Sequence, residues 1–160
     1  MEKEKVYIYV MNMENGNILI KGENMKNITF EMVKNAYSTA KDIYQNKITR
    51  TQGVQILINN FNMENASAGD HIQCYKAMIE GKRYTRTINL MAIEYFIIRI
   101  FIDEGVKGLS NSIVALQRHT EYYEDIRGIN LNKNRAIIKK YKNLIDNNFI
   151  EIEKYIKELK

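Results

Sequence analysis

Residues 90–105 read LMAIEYFIIRIFIDEG. Ile93, Tyr95, Phe96, Ile97, Ile98, Ile100, Phe101 and Ile102 make this segment apolar on nearly every side. A helix of that kind is covered by neighbours around most of its circumference. The segment is therefore expected as the central rod of a helical bundle. It begins near Thr87 or Asn89 and stops at Gly105, a favourable residue just past a helix C-terminus. Its density of β-branched residues leaves a strand over 95–102 as the alternative, with no turn signal beside it.

Working outward, amphipathic periodicity continues in both directions. A helix over about 107–125 ends near Gly128. Upstream, a helix begins after Ser67, with Asp70 three residues on, and stops at Gly81; Ile72, Tyr75, Met78 and Ile79 form its stripe. Thr49 and Gln52 make a capping box for the helix before it, which carries Val54, Leu57, Ile58 and Phe61. Thr29 caps a helix over 30–46 with Val33, Ala36, Tyr37, Ala40, Ile43 and Tyr44 on one face. The last helix spans 132–158. There Ile138, Tyr141, Ile145, Ile152, Tyr155 and Leu159 fall near a heptad seam, interrupted by Asn148. That seam either folds onto its own domain or makes a dimer or a partner contact. Residues 5–21 alternate as a β-hairpin about Asn15-Gly16, the pair suited to a type I′ turn. The expected class is mainly α (α+β): a hairpin over 1–24, a helical domain over 27–128 and a C-terminal helix over 129–160, five or six helices in one domain of 160 residues.

Composition narrows the function. The net charge is +5 with a sequence pI near 9.1, which permits nucleic-acid or acidic partners without demanding them. One cysteine, Cys74, excludes an internal disulfide and a multi-cysteine zinc site. Two histidines are too few for most histidine metal centres, and neither a metal nor a cofactor is expected. No apolar run reaches the ~18 residues of a membrane span, and MEKEKVYIYV has no signal-peptide core. A cytoplasmic protein is expected. The wealth of Ile, Asn, Lys and Tyr fits AT-rich coding, as in a low-GC bacterium or its phage.

No catalytic constellation emerges. P-loop, dinucleotide-fingerprint, HExxH and serine-elbow motifs are missing. His71 and Cys74 share a helix three residues apart, but nothing orients the histidine, so Cys74 reads as a packed thiol. Asp103-Glu104 and Glu124-Asp125 sit at helix C-termini, where the dipole disfavours negative charge, and read as solvated carboxylates. The chain is not expected to be an enzyme.

The most informative stretch is Gly81-Lys82-Arg83-Tyr84-Thr85-Arg86-Thr87, a connection between two helices. Three cations, a stackable tyrosine and two hydroxyls stand beside a helix N-terminus, a reasonable kit for gripping phosphates. In the plainer reading, Lys82 and Arg83 complement the preceding helix dipole and Tyr84 packs inward.

A longer pattern surrounds it. Asn62-Met63-Glu64-Asn65-Ala66-Ser67-Ala68 comes first. Met78-Ile79-Glu80 follows, leading into the basic run and on to Ile88-Asn89. Then come Glu94-Tyr95-Phe96, Asp103-Glu104-Gly105, Ala115-Leu116-Gln117-Arg118-His119 and Tyr122-Tyr123-Glu124. From about Ile28 to Glu124 the chain resembles a helical domain found at the N-terminus of many bacterial HNH-type restriction endonucleases. In those nucleases the domain precedes a metal-dependent HNH module. This sequence has no such module and too few His and Cys residues for one, so cleavage does not carry over.

Two functions follow as expectations from the resemblance. The first is a non-catalytic inhibitor or regulator that binds an HNH-containing restriction or CRISPR effector and blocks DNA cleavage, as phage-borne anti-restriction and anti-CRISPR proteins do. The second is a DNA-binding accessory domain. Either would use Lys82, Arg83, Tyr84, Thr85, Arg86, Asn89, His119 and Tyr122 as contact residues for protein or nucleic acid.

Overall fold

The computed structural model describes residues 28–147. Five helices follow in order: α1 Phe30–Tyr44, α2 Arg50–Phe61, α3 Asn65–Glu80, α4 Leu90–Arg127 and α5 Asn132–Asn147. No strand occurs among the described residues. The hairpin expected over 5–21 and the distal half of the last helix lie outside them.

Local chemistry sets most helix ends. Thr29 and Thr49 each form a capping box, and the Asn89 side chain accepts the Ala92 N–H at 2.8 Å. With no proline in the chain, left-handed residues do the stopping. Gly81 closes α3 in a Schellman arrangement, with Lys82 N–H donating to Ala77 and Gly81 N–H to Met78. One start differs from expectation. Helix α3 begins at Asn65 rather than after Ser67. Ser67 is already helical, and its carbonyl lies 2.7 Å from His71 Nδ1.

The first half of α4 is helical throughout, which removes the strand alternative for 95–102. Ile93, Phe96, Ile97 and Ile100 are fully buried where α4 meets α1, α3 and α5. A ring cluster locks α1 to this rod. Tyr37 makes edge-to-face contacts with Tyr75, Tyr95 and Phe96 at 5.2–5.9 Å between centroids. Such pairs contribute about 0.5–1.5 kcal/mol each beyond burial.

Of the four carboxylates read as solvated, Glu104 and Asp125 are exposed, but Asp103 and Glu124 are structural. Asp103 is largely buried, accepting the Tyr37 hydroxyl at 2.6 Å and pairing with Lys41 at 2.9 Å. Burial pushes its pKa up, but the hydroxyl and the ammonium outweigh that and hold it below the usual range. Burial, then the Asp103 bond, pushes the Tyr37 phenol up. Glu124 accepts the Leu131 N–H at 2.8 Å and pairs with Arg135, so it anchors the start of α5. These cationic and N–H partners offset the unfavourable dipole position. Along α5, Ile137, Ile138 and Tyr141 are buried, and α5 packs on α4. The described half of the heptad seam therefore faces its own domain.

The long α4 is broken at Gly105, whose φ of 69° and ψ of −158° are non-helical. That region is essentially reserved for glycine. Nothing lies within 4 Å of where a Cβ would sit, so the restriction is backbone strain and not a clash. Gly105→Ala is expected to destabilise the fold by about 1–3 kcal/mol, read as a lower urea midpoint with an unchanged slope. An unaltered midpoint would show that the break is not held against strain.

Candidate functional site

The connection between α3 and α4, Gly81–Asn89, has no helical or sheet ladder of its own. Its carbonyls must find donors elsewhere, and the second half of α4 supplies three of them. Arg118 Nη1 donates to the Gly81 carbonyl at 2.8 Å, His119 Nδ1–H to Tyr84 at 2.8 Å and the Tyr123 hydroxyl to Thr85 at 2.8 Å. Just upstream, Asn111 donates to Ile79 at 2.8 Å. On the α3 side, the Cys74 thiol reaches the Arg86 carbonyl at 3.7 Å. The connection thus runs in the groove between α3 and the distal half of α4, held by side chains from both.

Two of the residues expected to touch a partner are withdrawn by this arrangement. Tyr84 is 1% exposed and His119 2%. Their rings stack at 4.1 Å with 12° between planes. Neither offers a face to a ligand, because tertiary packing has already covered both. Asn89 is occupied as the cap of α4. The plainer reading of Tyr84 as inward-packing is the correct one.

The remainder stay at the surface. Lys82, Arg83, Thr85 and Arg86 are exposed. Lys82 pairs with Glu80 at 2.8 Å, which the other half of the pair mirrors: the Lys82 bond draws the Glu80 carboxyl below its ordinary range. Arg86 lies 3.7 Å from Asp70. Exposed pairs of this kind contribute little to stability, so an incoming anion can displace them. The Arg83 guanidinium sits over the half-buried Tyr122 ring, 4.8 Å from its centroid.

Arg118, Tyr123 and Arg127 belong to this surface but were not among the residues expected there. The Arg127 guanidinium lies 4.8 Å from the Tyr123 centroid. Their signal was present as i, i+4 spacing: His119, Tyr123 and Arg127 on one stripe, Arg118 and Tyr122 on the next.

Cys74 is fully buried, and burial raises its thiol pKa far above the ordinary range. It is an inert packed thiol. Among the described residues no three His, Cys, Asp or Glu side chains gather into a possible metal site, and no helix is long and apolar enough to cross a membrane. No protein-family model, curated protein or solved structure matches this chain.

Burial lowers the pKa of both imidazoles, opposed by the Ser67 carbonyl at His71 and the Tyr84 carbonyl at His119. A histidine near 6.5 when unfolded and lower when folded binds its proton preferentially in the unfolded chain. Its contribution is complete above about pH 6.5 and is lost as pH falls toward the folded value. The urea midpoint is therefore expected to drop between about pH 7 and pH 5, and to drop less in His119→Gln. A midpoint flat across that window would contradict the assignment of neutral, buried imidazoles.

Proposed function

We propose that this chain is a non-catalytic binding module that contacts the nucleic-acid backbone through the Lys82–Arg86 connection, in the service of an HNH-type nuclease system. The observation that carries the reading is the pinned connection itself. The Gly81, Tyr84 and Thr85 carbonyls are tied inward, while the Lys82, Arg83, Thr85 and Arg86 side chains are exposed along one non-helical segment. Fixed cations and hydroxyls of this kind suit phosphate contacts, which position a protein without reading sequence. Charge agrees with it. Residues 28–147 contain 17 Lys and Arg against 12 Asp and Glu, so the whole net charge of +5 lies within the helical part. The resemblance of residues 28–124 to the HNH-associated helical domain supplies the nuclease connection.

A second reading keeps the nuclease and changes the partner: an inhibitor that binds an HNH-containing restriction or CRISPR effector and blocks cleavage. It is favoured by Ile126 and Ile129, 55% and 44% exposed on either side of Gly128. Apolar side chains displayed at one turn suit a protein contact better than a phosphate backbone.

Fluorescence anisotropy of a labelled duplex against salt separates the two. Phosphate contacts predict a steep loss of affinity, with a log–log slope near −0.9 per phosphate neutralised. Losing Arg83 and Arg86 together should flatten that slope by about two. Identical slopes for parent and Arg83→Ala/Arg86→Ala would remove the connection from the interface. If duplex binding is missing altogether while cleavage by a purified HNH nuclease is suppressed near 1:1 stoichiometry, the inhibitor reading replaces it.

A further inference from the structure

We infer that Arg83 and Arg127, each laid over one of the adjacent tyrosines Tyr122 and Tyr123, form a two-guanidinium cradle for phosphodiester groups of duplex DNA. The inference rests on the nucleic-acid reading above and extends it to residues of the α4 C-terminus.

The two stacks are built alike. Arg83 lies 4.8 Å from the Tyr122 centroid and Arg127 4.8 Å from the Tyr123 centroid, and the two rings meet edge-to-face at 5.4 Å. One arginine comes from the connection and the other from the last turn of α4, so only the fold brings them onto neighbouring rings. Both are exposed, and among the described residues neither has a carboxylate partner. Glu124, three residues before Arg127 on α4, is occupied by Arg135 and the Leu131 N–H.

The platform beneath them is fixed. Tyr123 is held by its hydroxyl on the Thr85 carbonyl and by His119, 4.8 Å away between ring centroids. His119 in turn stacks on buried Tyr84. A guanidinium resting on a fixed ring loses less side-chain freedom on binding than one waving in solvent, and its N–H edges remain free for phosphate oxygens. The same geometry says how the nucleic acid is not held. The tyrosine faces already carry guanidinium groups, so base stacking of the kind seen on single-strand platforms is not the mode.

The test uses the full chain and a labelled duplex of about 20 base pairs. Arg127→Ala should weaken binding about fivefold or more near physiological salt and reduce the salt slope by about one. Arg127→Lys should recover only part of the affinity, because an ammonium is no planar fork. The control is Lys107→Ala, an exposed cation about 30 Å away along α4 at 1.5 Å per residue. It should stay within twofold of the parent. Urea midpoints confirm that each variant is folded. Arg127→Ala behaving like Lys107→Ala, with the parent binding duplex, overturns the cradle alone. A parent that binds no duplex overturns the underlying reading too. Tighter binding to a single strand of equal length, lost in Tyr122→Ala, overturns it in favour of base stacking.

Discussion

The contact between Tyr84 and His119 fixes where everything on the candidate surface lies. The imidazole does two jobs in one place: its Nδ1–H satisfies the Tyr84 carbonyl at 2.8 Å, and its face covers the Tyr84 ring at 4.1 Å. A buried carbonyl without a donor costs about 1–3 kcal/mol, and the ring contact adds a fraction of that. Together they make it unfavourable for the connection to leave the groove. Once Tyr84 is seated, Arg83 and Thr85 are obliged to face outward on either side of it.

One wall of the groove is the half of α4 that follows its interruption. Before Gly105 the helix is the apolar centre of the bundle; after it the helix carries Asn111, Arg118, His119 and Tyr123 toward the connection. Asp103, just ahead of the break, ties this corner to α1 through Tyr37 and Lys41. The break uses a backbone conformation that glycine adopts freely and other residues do not, with the Asp103 corner packed beside it. Glu124 does the corresponding work at the other end, anchoring α5.

The helical frame was legible in the sequence wherever capping chemistry was local. Thr29, Thr49 and Asn89 announce starts, and Gly81, Gly105 and Gly128 announce stops, because each acts on backbone within a few residues. The start of α3 was not legible: Glu64 makes no side-chain cap, and Ser67 with Asp70 mimicked one. The cations of the candidate surface were equally readable from 82–86. The fate of Tyr84 and His119 was not. An aromatic among cations looks the same whether its partner is a base or a histidine 35 residues away. Only the tertiary arrangement decides that, as it also decides that Asp103 and Glu124 are half-buried anchors.

The account depends on a connection that is rigid although it has no secondary structure. Backbone 15N relaxation of Arg83–Thr87 tests this most directly. Held as described, these amides should show order parameters close to the ~0.85 of rigid backbone, level with the flanking helices. Values below about 0.6 would mean that the groove contacts do not persist and would contradict a preformed binding strip.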